Sequence, residues 1–219
     1  MDLKYLKLDD TLYTYLCGLR SDAPDPVLNQ LREETAALGE VSEMQISPEQ
    51  GTFFSILTAA IGAKSAIEVG TFTGYSSLCI ARALGPSGKL ICIDESEKWT
   101  AVARKCWKQA GVEGRIDLRL GGAIPLLKQL ESSVVFDLAF IDAAKTEYDA
   151  YYELILPRVR QNGLVLLDNM LWGGRLGRGT ITQDSGKAID ALNYKLAADS
   201  RVEATLLAIA DGIFLCRKR

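Results

Sequence analysis

The chain has 219 residues, 48% of them hydrophobic and 24% charged, with a formal net charge of −3. That balance is ordinary for a globular fold and gives no basis for a nucleic-acid or membrane-surface partner. Histidine is absent, which excludes Ser-His-Asp and Cys-His catalysis and leaves acid–base chemistry to Asp, Glu, Lys, Tyr or Cys.

No apolar run approaches the roughly 20 residues of a membrane span. The start, MDLKYLKLDD, carries acids and no apolar core, so no secretory signal is expected. Cys17, Cys79, Cys92, Cys106 and Cys216 form no C-x-x-C pair and fall mostly in apolar patterns. They read as reduced, buried thiols of a cytoplasmic protein.

The first sixty residues read as helices. Val27, Leu28, Leu31 and Leu38 form part of a stripe at helical spacing. A further helix opens at SPEQ, with Ser47 as N-cap, Pro48 at the first position and Gln50 completing a capping box.

From Ser65 the pattern changes to short apolar runs, SAIEV, KLICID, RIDLRL, FDLAFID and GLVLLD, alternating with helical stretches. Such alternation predicts βαβ units in an α/β, doubly wound, mostly parallel sheet. Near the end, RVEATLLAIA and GIFLCRKR flank Asp211-Gly212, a hairpin signal that makes the last strand antiparallel. Arg217-Lys218-Arg219 reads as a short solvated tail. With no repeat or linker, residues 1–219 read as one domain.

In a sheet of this kind ligands bind at the carboxyl ends of the strands. Those ends are Glu68–Gly70, Asp94, Gly121–Ala123, Asp142 and Asp168–Asn169. After the first strand, EVGTFTGYS places Gly70 and Gly74 in a tight strand-to-helix loop without the G-x-G-x-x-G spacing that a dinucleotide favours. Asp94, twenty residues after Gly74, suits ribose hydroxyls. Glu68 suits a ligand ammonium. A nucleoside joined to an amino acid, S-adenosylmethionine, satisfies both. Asp142, Asp168 and Asn169 supply three oxygen donors for a hard cation, Mg²⁺ or alternatively Ca²⁺ or Mn²⁺. The competing reading of Asp168-Asn169 is a turn cap. Lys145, three residues beyond Asp142, reads either as a base or as a surface lysine in a helix's first turn. Trp107, Tyr148, Tyr151 and Tyr152 read as core or interface. The glycine-rich stretch after Trp172 reads as a mobile loop carrying Arg175 and Arg178.

The segments EVGTFTGYSSL, FIDAAKTEY, LLDNMLWGG and LAADSRVEATLLAIADGIFLCRK closely resemble the cation-dependent O-methyltransferases of the caffeoyl-CoA and catechol O-methyltransferase family. The resemblance runs from about Met44 to the end. It implies a seven-stranded Rossmann-like methyltransferase fold with extra N-terminal helices, S-adenosylmethionine as donor, a catechol-type acceptor and a homodimer. It places the metal on Asp142, Asp168 and Asn169, and the cofactor near Ile46, Glu68, Gly70, Thr71, Ser76, Asp94, Ala123 and Asp142. It makes Lys145 the catalytic base beside Asp142. Ile46 and Ala144 depart from the plant members, which carry threonine and aspartate there. The segments before Phe136 and after Trp172 are shorter than in plants. The alternatives are an NAD-dependent oxidoreductase and a non-catalytic S-adenosylmethionine-binding regulator. A methyltransferase acting on nucleic acid would want a basic face that this composition lacks.

Overall fold

A computed structural model describes residues 6–176, 178 and 181–219. The part of the opening segment at residues 1–5, and Gly177, Gly179 and Thr180 of the loop after Trp172, lie outside the described residues. The strands are β1 (Ser65–Val69), β2 (Lys89–Asp94), β3 (Ile116–Leu120), β4 (Phe136–Ile141), β5 (Val159–Leu167), β6 (Val202–Leu207) and β7 (Ile213–Lys218). The helices are α1 (Asp10–Gly18), α2 (Pro26–Ala36), α3 (Pro48–Ala60), α4 (Tyr75–Ala83), α5 (Glu97–Gln109), α6 (Ala123–Lys128), α7 (Tyr148–Ile155) and α8 (Asp184–Ala198).

The sheet has seven strands in the order β3-β2-β1-β4-β5-β7-β6. The first five in chain order are parallel, and β7 runs antiparallel to both β5 and β6. Side chains alternate between the two faces of a strand. Ala66, Leu90, Cys92, Leu138, Phe140, Leu164 and Leu166 therefore pack with α2, α3, α4 and α5. Ile67, Val69, Ile93, Ala139, Ile141, Val165 and Leu167 pack with α6, α7 and α8. Phe54 of α3 meets Phe140 of β4 with ring centroids 4.6 Å apart, and both are fully buried.

Three sequence expectations change. The fifth strand begins at Val159, four residues before GLVLLD, because Val159 pairs with Phe136 across a register shift and Arg160 reaches Asp137 at 2.5 Å. Arg217 and Lys218 are no tail but part of β7. Arg217 pairs with Glu203, and Lys218 Nζ donates to the Val159 carbonyl at 2.7 Å. Leu38 lies beyond the end of α2, whose buried residues are Leu28, Leu31 and Thr35. The SPEQ start is as expected: Pro48 opens α3, and Gln50 Oε1 accepts the Ser47 N–H at 2.8 Å. All five cysteines are free and four are buried, Cys17 being half-buried. No helix among the described residues is long and apolar enough to cross a membrane.

Candidate active site

The strand order reverses between β1 and β4, and a cavity of about 950 Å³ opens there at the carboxyl ends of the strands. Its size suits a ligand larger than a simple metabolite. Ile46, Gly70, Thr71, Ser76, Asp94, Ala123, Asp142, Lys145, Asp168 and Asn169 all line it.

One half is built by the loop after β1. Gly70 has φ +90, and a Cβ there would stand 1.9 Å from the Asp142 carbonyl oxygen. Only glycine lets this loop lie against the end of β4. Gly74, also at positive φ, is the N-cap of α4. Asp94 clamps the loop from β2: its Oδ2 accepts the backbone N–H groups of Thr71 (2.9 Å) and Phe72 (2.8 Å), and its Oδ1 accepts that of Ser96 (2.7 Å). A carboxylate has about four lone-pair positions, so capacity remains for a ligand hydroxyl. Phe72 and Trp99 meet edge to face at 5.1 Å on the same wall, an aromatic surface that the helical pattern around Trp99 conceals in the sequence.

Glu68 is placed differently from its expected contact with a ligand ammonium. It lines no part of the cavity and is fully buried. The reason is alternation along β1: Ile67 and Val69 face α6–α8, so Glu68 faces α3 and α4 beneath the glycine loop. Cys92 Sγ lies 3.4 Å from its Oε2, and Oε1 has no partner among the described residues. Burial pushes this carboxyl up to about 8.

The other half gathers the ends of β4 and β5. Lys145 Nζ donates to Asp142 Oδ1 at 2.6 Å and to Tyr148 Oη at 2.7 Å. It stands in a 3₁₀ turn, Lys145–Glu147, ahead of α7, with its side chain only 17% exposed, and so is no surface lysine. Tyr148, expected as core or interface, is buried but touches the site through its hydroxyl. Asp168 is nearly buried. Its carboxyl is raised above the usual range, first by burial and then by the charge of Asp142. Asn169 takes the left-handed conformation at φ +58, which asparagine tolerates better than most side chains.

Two supporting residues escape the sequence reading. Gln50 Nε2 donates to Asp168 Oδ1 at 3.0 Å. Asp211 accepts the Gly173 N–H at Oδ1 (2.6 Å), and its Oδ2 lies 3.4 Å from Asn169 Nδ2. Trp172 lines the cavity and packs against Gly186 of α8, where an added Cβ would stand 2.8 Å from its Nε1. Arg175 and Arg178 are exposed and are not among the described residues lining the cavity.

Among the described residues no group of three or more His, Cys, Asp or Glu side chains stands together as a metal site. The expected set is of another kind, two carboxylates and an amide. Its chemistry fits a hard cation: all donors are oxygen, and two carboxylates share a largely buried edge with one ammonium.

A cavity at the switch point of a doubly wound sheet, walled by a glycine loop and a strand-end carboxylate, defines the class of nucleoside-cofactor α/β proteins. A model of the O-methyltransferase family matches residues 20–219. The chain belongs to that family of enzymes. Tricin synthase 2 of Oryza sativa subsp. japonica is 41% identical over 185 residues, which are 80% of this chain and 63% of that protein. The chain thus spans less than two thirds of that relative's length. Caffeoyl-CoA O-methyltransferase 2 of Zea mays is 36% identical over 229 aligned positions, 98% of this chain and 85% of the relative. The crystal structure of an O-methyltransferase from Bacillus cereus in complex with SAH superposes with a TM-score of 0.87 at 28% identity, covering 95% of this chain and 97% of that one.

Proposed function

We propose that the chain transfers the methyl group of S-adenosylmethionine to one hydroxyl of a catechol-type aromatic, such as a phenylpropanoid or flavonoid, with a divalent cation. Mg²⁺ is the first choice of cation, with Ca²⁺ or Mn²⁺ as alternatives. The observation that carries this reading is the convergence of Asp142, Lys145, Asp168 and Asn169 on a cavity that the glycine loop and Asp94 also line. The SAH-bound relative supports the cofactor. The caffeoyl-CoA and tricin names of the relatives support a phenolic acceptor. Membership of an O-methyltransferase family sets aside the NAD-dependent oxidoreductase.

Asp142, Asp168 and Asn169 would hold the cation, which supplies Lewis acidity toward two adjacent ligand oxygens when bound. Ile46, Gly70, Thr71, Ser76, Asp94 and Ala123 would seat the cofactor, with Asp94 accepting from ribose hydroxyls and Asp142 bordering both halves. Glu68 would act from behind the loop. Once its ammonium has given up a proton to solvent, Lys145 takes the acceptor hydroxyl's proton at the neutral Nζ, and Asp142 and Tyr148 fix the direction of that amine. The resulting oxygen anion is the nucleophile. Because the donor is already activated, the protein's contribution is proximity, orientation and exclusion of water. We further propose a cytoplasmic homodimer. The five free thiols support the compartment, and the family resemblance supports the dimer.

The test compares methyl transfer to caffeic acid with transfer to p-coumaric acid, with and without EDTA. Caffeic acid should be methylated, EDTA should abolish turnover, and Mg²⁺ should restore it. p-Coumaric acid, with one hydroxyl, should be neglected. Equal rates on the two acids, or full turnover in EDTA, reject the role given to the cation.

A further inference from the structure

Gln50 is 2% exposed and Asp168 is 4% exposed. They come from α3 and the end of β5, 118 residues apart in sequence. Asp168 Oδ1 accepts twice, from Gln50 Nε2 at 3.0 Å and from the Asn169 N–H at 2.6 Å. Oδ2 has no protein donor among the described residues, and Asp168 forms part of the cavity wall. The other end of the Gln50 amide is equally committed: Oε1 accepts from the Ser47 N–H at 2.8 Å and from Ser47 Oγ at 2.9 Å. These partners settle which end of the amide is which, since a backbone N–H needs the oxygen and a carboxylate needs the nitrogen.

We infer that Gln50 is a positioning residue for the divalent cation: it holds Asp168 by Oδ1 so that Oδ2 is presented to the cavity. The inference rests on the metal reading proposed above. The physical need is clear. Rotation about χ2 of an aspartate is broad, so an untethered carboxylate has no fixed coordinating edge. Two donors on one oxygen remove that freedom. Helix capping alone does not explain the residue, because a cap at this position uses only the side-chain oxygen, and glutamate would serve. The amide nitrogen is what glutamine adds, and in this buried place it is spent entirely on Asp168. Ser47 ends the segment Glu43–Ser47, which also lines the cavity, so one side chain ties that segment to Asp168.

The test measures Mn²⁺ binding to the full chain by electron paramagnetic resonance, and S-adenosylhomocysteine binding by calorimetry, for the wild type and Gln50→Met. Methionine keeps the volume and removes both hydrogen-bonding ends. Groups that orient a metal ligand are worth about tenfold to a hundredfold in metal affinity. Mn²⁺ affinity should fall by that factor, and S-adenosylhomocysteine affinity should fall by less. A residue that only caps α3 would lower the melting temperature and leave Mn²⁺ affinity at the wild-type value, which overturns the inference. A wild type that binds no Mn²⁺ rejects the metal reading itself. If Gln50→Met does not fold, the wild type still decides. The Gln50 side-chain amide, assigned by its NMR contacts to Ser47, should shift on titration with Mg²⁺, and an amide that does not respond overturns the proposal.

Discussion

Glu68 and Asp94 stand at or next to the ends of neighbouring strands, yet they do different work. Glu68 carries a buried carboxyl raised to about 8 from an ordinary 4.5, mainly by burial, with Ser76, Thr71 and Cys92 offsetting part of the rise. Between those two values the folded chain keeps a proton that the unfolded chain has lost. Stability therefore falls as pH rises through that window, by up to about 1.4 kcal/mol per pH unit. Glu68→Gln should abolish this slope, so its melting temperature should gain on the wild type's between about pH 5 and pH 8. A constant difference across that range would show that Glu68 titrates normally. Asp94→Ala removes the acceptor of two loop N–H groups as well as the expected ribose contact. Charge-assisted hydrogen bonds are worth roughly 1.5–3 kcal/mol each, so S-adenosylhomocysteine affinity should drop at least about tenfold. An unchanged calorimetric affinity would place the nucleoside elsewhere. Asp94, Asp142, Asp168 and Asn169 are legible in the sequence because an apolar strand pattern stops on each. Glu68 misleads because it is the acid nearest the end of its run but stands one residue short of that end, so its face differs. Gln50 is hidden because a capping box already accounts for it.

At the scale of elements, the segment after β5 is held by the connection between β6 and β7. The sequence suggests a two-residue turn at Asp211-Gly212, but the connection spans residues 208–212. Ala210 and Gly212 both take positive φ, and the Gly212 N–H returns to the Ile209 carbonyl at 2.8 Å. The extra length lets this loop dock on its neighbour. Leu171 N–H donates to the Asp211 carbonyl at 2.8 Å and Met170 N–H to that of Gly212 at 3.0 Å. The Asp211 carboxylate then reaches Gly173 and the Asn169 amide. Strand alternation and turn chemistry reveal the seven strands, but not this docking, because contacts between two loops leave no periodic trace. Asp211→Ala should loosen the segment without unfolding the sheet. Hydrogen exchange at Leu171 and Gly173 should quicken, and Mn²⁺ affinity should fall about tenfold, as expected for losing hydrogen bonds to a charged group beside a ligand. Wild-type exchange rates at both amides would show that the loop holds itself.

For the whole molecule, the decisive quantity is the charge of the cavity. Glu43, Glu95, Glu147 and Asp211 line it in addition to Asp94, Asp142 and Asp168, and Lys145 is the one cation among the described lining residues. The chain as a whole is also negative, at −3. A cleft lined by one sign of charge with low-dielectric walls focuses its field and changes the local concentration of charged ligands. A divalent cation would cancel two of those charges and leave the cavity negative. A coenzyme A thioester carries several phosphate charges and would meet this field unfavourably. An uncharged catechol would be indifferent to it, and a catechol bearing an ammonium would be drawn in. The prediction is that kcat/KM ranks cationic and neutral catechols above caffeoyl-CoA, and that salt moves the charged pair in opposite directions. Raising ionic strength from about 0.01 M to about 0.15 M shortens the screening length from about 30 Å to about 8 Å. The rate with dopamine should fall, the rate with caffeoyl-CoA should rise, and the rate with methyl caffeate should stay level. A preference for caffeoyl-CoA that weakens with salt would show that cations outside the cavity wall, Arg175 and Arg178 first among them, govern acceptor choice.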